Sequence, residues 1–195
     1  MRARGFRVLV QTAVQAPTPA RPGVPISYAD ILVRQGFGDA ASLHAQTVSW
    51  LDLYARVRPD RVVIDYAPAA QWAAQLAELP ALQLTNGFDS PPADCPPYEA
   101  NVRGPYLWQQ AAAQVQTVER TLHTVAASLA PSTCTTLRGL IEYPHRLMDC
   151  VEESDPYAVH RSPSDTRRHY VGPLGEAPDA AAAQWPASPG SRRVF

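Results

Sequence analysis

In this chain of 195 residues, Asp65 is a carboxylate at a position where chemistry could take place. It closes a short β-branched run, Arg61 to Asp65 (RVVID). In an open α/β sheet, reactive groups gather at the carboxyl ends of the strands. The same carboxylate is equally suited to cap a helix beginning near Ala67, and both readings stay open. Asn86, Gly87 and Phe88 follow the next apolar run. They read either as a cleft-lining loop, with Phe88 free to pack on an apolar ligand, or as a turn built on Asn-Gly chemistry. Glu152, Glu153 and Asp155 have the residue types of paired catalytic acids. Their crowding in a proline-bounded segment favours a solvated loop instead.

Other constellations are weaker. The five histidines are scattered. His44 and His123 fall in predicted helices, His145 and His160 in loop-like sequence, and His169 at a short β run, so none takes a catalytic role. GFGDA, Gly36 to Ala40, reads as a turn that starts a helix. It is not a phosphate cradle, and neither a P-loop nor a G-x-G-x-x-G pattern occurs in the chain. The three cysteines, Cys95, Cys134 and Cys150, form no C-x-x-C pair, which argues against a zinc site or a disulfide framework. Reduced thiols of a cytoplasmic protein are the expectation. No metal and no resident cofactor are expected.

The elements that must position these residues alternate. After Gly5, Phe6 to Gln11 (FRVLVQ) is a β run, and Thr12 to Pro25 reads as a long loop. Asp39 is a candidate N-cap for a helix. Its inward face is Leu43, Thr47, Trp50, Leu51 and Tyr54, spaced at three- and four-residue steps. Pro59 closes it. RVVID is predicted as a strand buried on both faces. Ala67 to Leu79 is an alanine-rich helix that Pro80 ends, and Ala81 to Leu84 is the next strand. Pro105 to Ala130 is helical by its apolar period, with Trp50 and Trp108 assigned to the core. Arg146 to Cys150 and His169 to Val171 are shorter strand candidates. The order predicts an α/β fold: a Rossmann-like parallel sheet flanked by helices, joined by right-handed crossovers.

Composition narrows the function class. The chain is 46% hydrophobic and 18% charged, values of a folded domain. All 17 basic residues are arginine, yet the formal net charge is -1, which gives no electrostatic case for nucleic acid. No apolar run reaches the roughly 20 residues of a membrane span, so neither a nucleic acid nor a membrane is an expected partner.

The stretches RGFRVLV, RPDRVVIDYAPAAQWAAQLAELPALQLTNGF and YVGPL (Tyr170 to Leu174), followed by Trp185, occur in this order. In that order the chain resembles the N-terminal, acceptor-side domain of GT-B glycosyltransferases, notably the bacterial macrolide and steroid UDP-glycosyltransferases. The resemblance implies transfer of a sugar from a nucleotide-sugar donor, a co-substrate held by the other domain, to a hydroxyl of a small or lipid-like acceptor. It implies that Asp65 matches the family's carboxylate, which orients a histidine base. It implies an acceptor-side loop at Asn86, Gly87 and Phe88. The family's base lies in a Gly- and His-containing turn after the first strand, and no histidine here matches it. Residues 1–175 are therefore expected to form an incomplete acceptor-side domain lacking the first strand and helix. Residues 176–195 are expected to be a linker and the start of a missing donor domain, so that this fragment alone would not catalyse transfer. A non-catalytic remnant or binding module, and a fragment of a sugar-nucleotide epimerase-like enzyme, are the rival readings.

Overall fold

A computed structural model describes residues 23–92, 105–163 and 168–173. The predicted strand at Phe6 to Gln11, the loop up to Pro22 and the segment 176–195 lie outside the described residues.

The first described element is a short helix, α1 (Tyr28–Leu32). Ser27 caps it by accepting from the Asp30 N–H at 3.0 Å, and Asp30 reaches back to the Ile26 N–H at 3.2 Å. This is the reciprocal arrangement of a capping box, moved one residue outward. Nothing in the sequence reading anticipated this helix. The chain then widens into a π-type turn (Val33–Phe37), where Gly36 takes φ 98°. The GFGDA segment is thus the turn expected of it. Asp39 caps α2 (Ala40–Val57) through a 2.7 Å bond from the Ser42 N–H.

β1 (Val62–Asp65), α3 (Pro68–Leu76) and β2 (Ala81–Thr85) follow with short links. α3 ends in a Schellman pattern. Leu79 N–H bonds to Ala74 O and Glu78 N–H to Gln75 O, with Glu78 at φ 53°. The helix therefore stops before Pro80 acts on it. α4 (Pro105–Leu129), α5 (Leu137–Glu142), β3 (His145–Met148) and β4 (Arg168–Tyr170) complete the elements, with 3-10 turns at Glu152–Ser154 and Ala158–His160. The four strands form one sheet in the order β1-β2-β3-β4, and each pairing is parallel. This is the α/β class read from the sequence.

The core lies between the helices and one face of the sheet. Trp72 of α3 is fully buried among Leu32, Phe37, Leu43, Leu122 and Leu140. Ile64, Ala73, Ala74 and Ala81 make a second, smaller cluster against Tyr54. Alanine along α3 is what lets this helix lie close to β1 and β2. A polar seam crosses beside it. Gln114 of α4 donates to Asp30 at 2.8 Å, and Ser27 Oγ donates to Gln114 at 3.2 Å, tying the longest helix to the first.

Three expectations need correction. RVVID is not buried on both faces: Ile64 is, while Val63 is 61% exposed. Register places Val63, Leu82, Leu84 and Leu147 on one face of the sheet, and none of the four is fully buried. Among the described residues, β1 pairs on one side only, with β2. Trp108 is not a core residue; it is 43% exposed near the start of α4. His145 is the first residue of β3 and not part of a loop.

Candidate functional site

Two clefts meet at the junction of β1 and α3. The first, about 290 Å³, sits at the carboxyl ends of β1, β2 and β3 and is lined by Asp65, Tyr66, Leu84, Thr85, Asn86, Phe88, Asp89 and Asp149. The second, about 570 Å³, lies on the helical side among Arg34, Gln35, Phe37, Gln46, Trp50 and the first turn of α3. Tyr66 lines both.

Parallel register explains the first cleft. Asp65 pairs with Leu84, and Thr85 with Met148, so the three strands end together and their following residues converge. Asp65 brings its carboxylate to this edge. It does not cap α3: the N-cap is Ala67, and no side chain caps that helix. Asn86 and Gly87 do form a turn. Gly87 takes φ 97°, Phe88 N–H bonds to Asn86 Oδ1 at 3.1 Å, and Ser90 N–H bonds to Gly87 O at 3.1 Å. The turn presents Asn86 and Phe88 to the cleft, with Phe88 53% exposed, while Gly87 is not among the lining residues. The structure thus brings Asp65, Asn86 and Phe88 together and places Gly87 behind them.

Asp89 is the residue that the sequence reading missed. It is 8% exposed and lines the cleft beside Asp65. Thr85 Oγ1 donates to its carboxyl group and Gln83 Nε2 donates at 3.4 Å. Burial pushes its carboxyl up from the ordinary range; those two donors oppose the shift, and the nearby Asp65 adds to it. A buried carboxyl whose ionisation is resisted in this way is suited to holding a proton at the cleft. Asp149, just past β3, adds a third carboxylate whose buried Oδ1 has no partner among the described residues. The described residues contain no group of three ligands with metal-holding geometry.

Tyr66 carries strain. Its φ of 37° is in the left-handed region, which costs a non-glycine residue on the order of 1–2 kcal/mol. Gln35 Nε2 donates to its hydroxyl at 2.7 Å and fixes the ring between the two clefts. Burial raises the phenol, the Gln35 bond lowers it, and Asp89 raises it further.

Among the described residues, no histidine lines either cleft. His44, His123 and His160 are exposed. Glu152 and Glu153 are exposed as expected of a solvated segment, but Asp155 is buried and paired with Arg161. Proximity in sequence to two solvated acids concealed that difference. No helix among the described residues is long and apolar enough to cross a membrane.

No protein-family model matches the chain, and neither a curated protein nor a solved structure matches it significantly.

Proposed function

We propose that this chain is the acceptor-holding half of a glycosyl-transfer enzyme. In this reading an apolar, hydroxyl-bearing molecule lies in the cleft against Phe88, with its hydroxyl toward Asp65. The observation that carries the reading is the meeting of Asp65, Asn86 and Phe88 at the carboxyl ends of adjacent parallel strands. In the reaction, the acceptor oxygen bonds to the anomeric carbon as the bond from that carbon to the nucleotide diphosphate breaks. The hydroxyl proton leaves to a base. A carboxylate at Asp65 supports this step by orienting the proton-accepting group and stabilising the positive charge that develops on it. The aromatic face of Phe88 supplies apolar contact, and Asn86 supplies an amide to a polar group of the acceptor. The nucleotide-sugar would be held by a separate donor domain.

One observation favours a second reading, a binding module without catalysis: among the described residues no histidine lines the cleft. Binding comes first in either case. The test is fluorescence titration with 4-methylumbelliferone, a small phenol, alongside calorimetry with UDP-glucose. Saturable binding of the phenol, weakened in Phe88→Ala, with no heat from UDP-glucose, is the expected result. Stoichiometric binding of UDP-glucose without the phenol would assign this chain to the donor side, and no phenol binding at millimolar concentration would remove the acceptor reading. If the phenol binds, linking the chain to a donor domain and assaying Asp65→Asn separates the two readings: lost turnover with retained binding marks an enzyme.

A further inference from the structure

We propose that Arg161 is the positioning residue of the cleft, holding the Asn86–Phe88 turn through a buried ion pair with Asp155; this rests on the cleft being a binding site.

The Arg161 and Asp155 side chains are 2% and 0% exposed. Arg161 Nε donates to Asp155 Oδ2, and the NH2 group donates to Oδ1 at 3.1 Å. The same NH2 group also donates to the Gly87 carbonyl at 3.3 Å. Tyr170 Oη donates to Asp155 Oδ2 at 2.6 Å, and the Tyr157 N–H donates to Oδ1 at 3.0 Å. The Tyr157 ring lies 5.7 Å beneath the guanidinium. Asp155 also fills the space where a Gly87 side chain would begin: an added Cβ would stand 2.5 Å from Oδ1. One charged pair therefore grips the turn by a carbonyl and by contact.

Stability alone does not explain this choice. Two buried charges lose their hydration, and apolar residues of the same volume often stabilise a fold as well or better. The Arg161 NH1 group is buried and has no partner among the described residues, an added cost. Burial works against ionisation of Asp155, but the bonds from Arg161, Tyr170 and the Tyr157 N–H, with the Arg161 charge, outweigh it and hold the carboxyl below its usual range. What the pair supplies is direction. A planar guanidinium reaches two carboxylate oxygens and a carbonyl at fixed angles, which a lysine ammonium cannot match. Two further bonds reach the turn: Thr85 Oγ1 accepts from the Gly87 N–H at 2.9 Å, and Cys150 Sγ donates to Asn86 O at 3.3 Å. The turn is thus held through the backbone of both Asn86 and Gly87, leaving the Asn86 and Phe88 side chains to line the cleft.

Cys150 is a built-in reporter, because it is buried against the turn and burial raises its thiol, which slows reaction. In a Cys95→Ser, Cys134→Ser background, its rate with Ellman's reagent measures release of the turn. Arg161→Met is expected to raise that rate about tenfold or more, independently of low urea, because the opening is local. Arg161→Lys should restore part of the protection. Tyr170→Phe, which keeps the ion pair, serves if Arg161→Met does not fold, with a smaller urea-independent rise. An unchanged rate, or one that rises only in step with urea-driven global unfolding, overturns the proposal and leaves the pair merely structural. Titration with 4-methylumbelliferone is run in parallel. Faster, urea-independent thiol reaction in a chain that never binds the phenol would keep Arg161 as the anchor of the turn and remove the cleft reading.

Discussion

Gly87→Ala is the sharpest test of the described geometry. Two costs follow from the structure. The first is backbone: Gly87 sits at φ 97°, where an L-residue loses on the order of 1–2 kcal/mol. The second is contact. The new methyl would lie 2.5 Å from Asp155 Oδ1, 3.0 Å from its Cγ and 3.2 Å from Met148 Cε. Neither neighbour yields easily, since Asp155 is held by Arg161, Tyr170 and the Tyr157 N–H, and Met148 is fully buried. Displacing Asp155 breaks a buried pair, a loss of roughly 3–5 kcal/mol when complete. With the pair fully displaced the expected destabilisation is therefore about 4–7 kcal/mol, a large share of an ordinary domain stability of roughly 5–15 kcal/mol. Gly172→Ala is the internal control. It has φ 71° but no described atom within 4 Å of the added carbon, so only a backbone cost on the order of 1–2 kcal/mol applies. Urea unfolding followed by tryptophan fluorescence compares the two. Equal losses would mean that Asp155 does not abut Gly87, and the account of the turn would fail.

Other outcomes follow from the same structure. Asp89→Asn should stabilise the chain near neutral pH, because the folded state resists the Asp89 charge. The folded pKa is raised, so the advantage should shrink as pH falls through that value and vanish below the unfolded one; melting curves across pH check it. Trp72→Ala empties the centre of the core and should cost about 3–5 kcal/mol in chemical denaturation. Tyr54, whose hydroxyl donates to Ala70 O at 2.9 Å, has its phenol pushed up to about 12, chiefly by burial with help from Tyr143. Ultraviolet titration should show this phenol ionising late, and Tyr54→Phe should remove that late step at a stability loss of about 1 kcal/mol.

Period and punctuation carried most of the fold. The spacing from Leu43 to Tyr54 marked α2, Asp39 marked its start, and the β-branched RVVID and ALQL runs marked two strands of the sheet. What escaped was decided by partners far along the chain. α1 has five residues, too few for a helical period, and Gln114 of α4 secures it. Trp108 has the period of a core position, yet it is 43% exposed near the start of α4, because period marks a face of a helix and not whether a partner covers it. Asp65 was legible at the site because a strand end is a local signal. Asp89 and Asp155 were not, since burial depends on Thr85, Gln83, Arg161 and Tyr170 closing around them, and no local pattern encodes that closure.

The all-parallel register sets the timetable of folding. β1 and β2, like β3 and β4, join residues about 20 positions apart, whereas β2 and β3 join residues about 60 apart and enclose the whole of α4, and long-range closure slows folding. Two halves can therefore form early, one around β1, α3 and β2, the other around β3 and β4. The cleft belongs to neither. Its Asp65 and Phe88 come with the first half and its Asp149 with the second, so a binding-competent cleft arises only after the slowest seam has closed. Ligand binding during refolding should lag behind the recovery of helix.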